Sequence, residues 1–115
     1  MNVAKRPARR RRKVPAAPFD LRAFQARIAT TYGSKDAKRG IAGTFMYFSE
    51  EIGELAEALR EPDRHDLPGE FADCLAWLVS LAHLAKVDLA AAVDRKYPGL
   101  CPKCLEIICV CVSKP

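Results

Sequence analysis

The stretch 48–77 constrains this chain more than any other. It reads FSEEIGELAEALR, then EPDRHDLPG, then EFADCLAW. Glu50, Glu51 and Glu54 fall on one predicted helix, and Glu70 and Asp73 on the next. Residues three or four apart share a helix face. At about 100° per residue, Phe45, Phe48, Ile52, Leu55 and Leu59 form an apolar stripe. Glu51 lies on the shoulder of that stripe, Glu54 a step further round, and Glu50 and Glu57 nearer solvent. On the following helix Glu70, Asp73 and Trp77 share a side, while Phe71, Cys74, Leu75, Leu78, Ala82 and Ala85 cover the rest. A helix apolar almost all round is expected to be buried on several sides.

Carboxylates on such a helix need partners, because an unpaired buried charge is very costly. Four of them converging from two antiparallel helices would repel one another unless cations intervened. An all-oxygen donor set, with no His or Cys, favours a hard ion such as magnesium or manganese. The same residues also have an ordinary reading. Glutamate is a good helix former, and Glu70 and Asp73 follow Pro68, where acidic residues favour the helix dipole. Spacing alone leaves both readings open.

EExxE, a spacer of fifteen residues (Leu55 to Gly69) and ExxD resemble the signature of the MazG-like nucleoside triphosphate pyrophosphohydrolases, members of the all-α NTP pyrophosphatase superfamily. The similarity runs from roughly Phe19 to Tyr97 and takes in YGSKDAKRG, EIGELAEALR and EFADCLAWLV. It implies an all-α fold, a short four-helix bundle, in which Glu51, Glu54, Glu70 and Asp73 bind Mg2+ (or Mn2+) and Glu50 assists Glu51 in catalysis. The reaction implied is NTP + water → NMP + pyrophosphate, a nucleotide-pool housekeeping step, in a homodimer or homotetramer.

The helices are expected at 19–32, with Asp20 as N-cap and Gly33 as terminator, then at about 42–60, 68–86 and 89–97, the last capped by Asp88. GSKDAKRG is read as a loop whose Lys35, Lys38 and Arg39 can reach a triphosphate. Arg39 is preferred there, because a guanidinium suits phosphate oxygens. Trp77 lies one turn from Asp73; it can stack on a nucleobase or fill the core. Arg95 and Lys96 near the end of the last helix can bind phosphate or simply favour a helix C-terminus. His65 and His83 do not form the Glu-x-x-His pair of di-iron bundles.

The formal charge of +5 misleads about the folded part. Residues 1–17 carry seven Lys or Arg and no acid, which leaves twelve bases against fourteen acids in the rest. Residues 1–18 therefore read as a disordered basic arm able to bind polyanions weakly, residues 19–98 as the all-α domain, and residues 99–115 as a cysteine-rich tail. In the tail, Cys101, Cys104, Cys109 and Cys111 crowd into CPKCLEIICVC. That spacing suits a structural zinc better than a disulfide framework or a redox pair, and some MazG-like proteins end in a similar segment. Cys74 reads as a small core residue. No apolar run matches a membrane span, and the N-terminus lacks a secretory h-region, so the expected location is cytoplasmic. The alternative function is a non-catalytic nucleic-acid-binding or adaptor module that uses the arm and the knuckle.

Overall fold

The computed structural model describes residues 19–114. The basic arm expected over residues 1–18 lies outside the described residues.

Asp20 starts the first helix, as its sequence position predicts. Its side chain accepts the Ala23 N–H at 2.7 Å and so satisfies one of the donors that a helix N-terminus leaves free. Helix α1 then runs over Leu21–Arg60, 40 residues, where two helices joined by a loop were expected. The reason is local. Gly33 weakens a helix by only about 1 kcal/mol, and nothing from Ser34 to Arg39 breaks one, so GSKDAKRG is helical up to its last residue. The interruption falls at Gly40, whose φ of 79° and ψ of 174° lie in a region open to glycine and very costly for other residues.

Beyond α1, a single 3-10 turn at Pro62–Arg64 carries the chain round. Asp66 caps α2 by accepting the Gly69 N–H, with Pro68 in the first turn, and α2 spans Leu67–Leu84. Helix α3, Leu89–Lys96, is capped by Asp88 as expected. The described residues thus form three α-helical elements and no strand, the first element being two helical segments that meet at Gly40, so the break expected at Gly33 moves to Gly40.

The core lies between α1 and α2 and contains Ile28, Ala58, Val79 and Ala82. It is small. The stripe expected to be interior is largely open: Phe45 and Ile52 are about half exposed and Leu59 is similar. On α2, Phe71 and Leu78 also face out, so burial on several sides is not achieved within one chain. The corner between α2 and α3 is braced from the far end of α1. Gln25 donates to the Val87 carbonyl at 2.8 Å and accepts the Leu89 N–H at 3.0 Å, and Arg22 pairs with Asp88 beside it. No single helix among the described residues is long and apolar enough to cross a membrane.

Candidate active site

Because the turn after α1 sends α2 back along it, the acidic residues of the two helices meet. Glu51 sits in the second half of α1 and Glu70 in the first turn of α2, with Asp73 one helical step further on. One carboxylate oxygen from each of Glu51, Glu70 and Asp73 lies within 4.8 Å of the other two. Glu51 Oε2 and Glu70 Oε2 are buried and have no hydrogen-bond partner. Buried polar atoms are nearly always satisfied, so two such orphans on residues that converge mark a place that suits a cation.

The electrostatics agree. Burial pushes the Glu51 carboxyl above the ordinary carboxylate range, reinforced by the neighbouring Glu54 carboxylate and then by the charges of Asp73 and Glu70. Glu70 is also raised, by burial and then by Glu54 and Asp73, against the opposing pull of His65. Glu54, expected as a fourth ligand, is exposed and reaches the group through Glu51. Glu50 is exposed and lies outside the converging trio. Cys74, read from sequence as a plain core residue, is half-buried beside the carboxylates. Its thiol is pushed up by burial and by Glu51, Glu70, Asp73 and Glu54 in turn.

Asp73 also lines a cavity of about 300 Å3 between α1 and α2. Trp77, Arg39, Lys35, Tyr32 and Ile28 form much of its wall, with Asp36 and Ser80. Its size is at the small end of the range for ligand pockets. Arg39 is positioned in three ways. Its Nη1 donates to Asp36 Oδ1 at 2.9 Å and to Thr44 Oγ1 at 3.3 Å. Its guanidinium lies 4.8 Å from the Trp77 ring centre and 5.4 Å from that of Tyr47, within cation–π range. Its stem crosses Gly43 so closely that a methyl there would come within 2.8 Å of Arg39 Cγ. Tyr47 in turn stacks on Trp77, 5.1 Å between centres and 15° between planes.

Of the residues expected from sequence to contact substrate, Arg39 and Trp77 come together here. Trp77 is half-buried and forms a cavity wall, neither a sealed core residue nor a free surface one. Lys38 is exposed and does not line the cavity; Lys35, one turn earlier, does. Arg95 and Lys96 border a different hollow, against Pro98 and Cys101. Three residues escaped the sequence reading: Asp36, Thr44 and Ser80, all buried, with Ser80 Oγ donating to Asp36 Oδ2 at 2.8 Å. The available signal was a polar residue on an otherwise apolar face, Ser80 within LAWLVSLAHL and Thr44 ahead of the aromatic run.

In the segment that follows α3, the sulfur atoms of Cys101, Cys104, Cys109 and Cys111 all lie within 4.8 Å of one another, and none is in a disulfide. The Cys104 thiol is lowered to about 6, chiefly by the backbone N–H groups of Glu106 and Val110, while Cys111 is pushed up to about 12 by its cysteine neighbours and burial.

Antiparallel helices that bring three carboxylates together beside an arginine- and tryptophan-lined cavity define an all-α protein with an acidic centre at a helix–helix junction. Residues 39–105, more than half of the chain, match the MazG nucleotide pyrophosphohydrolase domain. The chain belongs to that family, which is all-α and of the hydrolase type. Comparison with curated proteins gave no match.

Proposed function

We propose that this chain hydrolyses nucleoside triphosphates to the monophosphate and pyrophosphate in a magnesium-dependent reaction. The observation that carries this reading is the convergence of Glu51, Glu70 and Asp73, with Glu51 Oε2 and Glu70 Oε2 left without partners and Asp73 also lining the Arg39–Trp77 cavity. Hard oxygen donors fit magnesium, with manganese the nearest substitute. Glu51, Glu70 and Asp73 would hold the ion, with Glu54 as the fourth carboxylate. When bound, it supplies charge neutralisation for the triphosphate and a lowered pKa for water.

The chain's own side chains do the rest. Arg39, fixed by Asp36 and Thr44, presents guanidinium N–H groups to phosphate oxygens. Lys35 adds a second positive charge on the same wall. Trp77 provides a flat apolar face of the kind that holds a nucleobase. Half-burial of this wall excludes water from one side of the substrate. The proton of the attacking water passes to Glu50, which stands outside the trio, or to one of the carboxylates that hold the ion. The domain that does this covers residues 19–98, with the cysteine-rich segment 99–115 appended.

Pyrophosphate release from a panel of NTPs and dNTPs, with and without magnesium, tests the reading. Turnover should require the metal and fall by at least about 100-fold in Glu51→Gln and in Asp73→Asn, as expected when charge stabilisation at the reacting centre is lost, with circular dichroism unchanged. A chain that binds nucleic acid but releases no pyrophosphate from any nucleotide would favour the non-catalytic alternative. We also assign the exposed apolar residues Phe45, Ile52 and Leu59 of α1 and Phe71 and Leu78 of α2 to a contact between copies of this chain, because large apolar side chains left open at helical spacing mark an interaction surface.

A further inference from the structure

The segment after α3 has no hydrophobic core. From Pro98 to Lys114 every residue is exposed except Cys101, Cys104 and Cys111. Its aliphatic side chains point outward: Ile107 and Ile108 are each 82% exposed and Val110 73%. Yet the backbone takes a definite path. Cys101 N–H donates to the Glu106 carbonyl at 2.9 Å, and Leu105 N–H returns to the Cys101 carbonyl at 2.8 Å. Leu105 itself is held in the left-handed region at φ 64°, where a branched aliphatic residue is rarely found. What lies inside this turn is sulfur. Cys101 Sγ and Cys111 Sγ are 4.0 Å apart, and the Cys111 N–H points at Cys109 Sγ at 3.4 Å.

Those distances fit a metal ion held by four thiolates. A tetrahedral tetrathiolate with metal–sulfur bonds of about 2.3 Å has sulfur–sulfur edges of about 3.8 Å. Four sulfurs already within 4.8 Å of each other need only a slight contraction to reach it. We propose that Cys101, Cys104, Cys109 and Cys111 bind one zinc ion in a closed structural site, and that this ion takes the place of a core in the C-terminal segment. Binding displaces thiol protons to solvent and leaves no open coordination position, so the site contributes folding free energy and no chemistry. It is separate from the acidic centre: the hollows that border these cysteines are lined by Tyr97, Lys114, Arg95 and their neighbours, and by none of the carboxylates that converge at Glu51. The inference stands whether or not the chain hydrolyses nucleotides.

The test is metal content and coordination in the full chain purified under reducing conditions. Native mass spectrometry should find about one zinc per chain, the stoichiometry of a four-thiolate site. Exchange with cobalt(II) should give the visible bands of a tetrahedral cobalt–thiolate centre. Both signals should disappear in Cys104→Ser/Cys109→Ser while helical circular dichroism is retained, since these cysteines lie outside every helix. Both should survive in Glu51→Gln/Asp73→Asn. With a zinc chelator present, trypsin should cut at Lys103, and added zinc should protect that bond. Absence of zinc from the reduced chain, cobalt bands without thiolate character, or loss of zinc in the acidic-site variant would each overturn the proposal.

Discussion

Asp36 holds the cavity together at the residue scale. It is 2% exposed, accepts Ser80 Oγ from α2 and pairs with Arg39, so one carboxylate joins the two helices and aims the guanidinium. Breaking a buried pair from one side leaves the other charge unpaired. Asp36→Asn should therefore destabilise the fold by about 2–4 kcal/mol in urea denaturation. If Arg39 grips substrate, the same change should raise KM about tenfold or more with a smaller effect on kcat. A variant with unchanged stability and unchanged KM would remove Asp36 from both roles. Arg39 was legible in the sequence because guanidinium chemistry is readable without coordinates. Asp36 was not, because reading GSKDAKRG as a loop leaves its residues with no fixed face. Only a helix that continues past Gly33 turns position 36 toward Ser80.

Among the elements, the bend at Gly40 sets the geometry. It separates the part of α1 that carries Lys35, Asp36 and Arg39 from the part that carries Tyr47 and Glu51, and so allows both to face α2. Gly40→Ala places a side chain in a backbone region that costs about 1–3 kcal/mol to occupy. Thermal denaturation should show that loss, whereas far-UV circular dichroism should show helix content kept. An Ala variant as stable as the parent would mean that α1 can run straight through. Helix starts were the most readable part of the fold, since Asp20 and Asp88 carry the oxygen acceptor that an N-terminus needs. The Asp88 carboxyl lies below its ordinary range through the Ala91 N–H first and Arg22 second. Where α1 would break was less readable. Gly33 and Gly40 are equivalent as letters, and only the backbone angle at Gly40, at φ 79°, uses what glycine allows.

For the whole molecule, the apolar periodicity of α1 and α2 calls for more burial than one chain supplies. Phe45, Ile52, Leu59, Phe71 and Leu78 have the spacing of interior faces, yet a single chain leaves them open. Periodicity reports that a face must be covered and says nothing of which molecule covers it. Light scattering coupled to size exclusion should give a mass of two or four chains, and Phe45→Glu/Phe71→Glu should reduce it to one; a monomeric parent would contradict the assignment. The Gln25 brace bears on how the chain assembles. Its amide touches the backbone at Val87 and Leu89, the latter across a sequence separation of 64, and α3 buries no residue of its own. A short helix that depends on so distant an anchor cannot persist before α1 and α2 have docked. Hydrogen exchange should therefore find α3 the least protected of the helices, opening before α1 and α2 part.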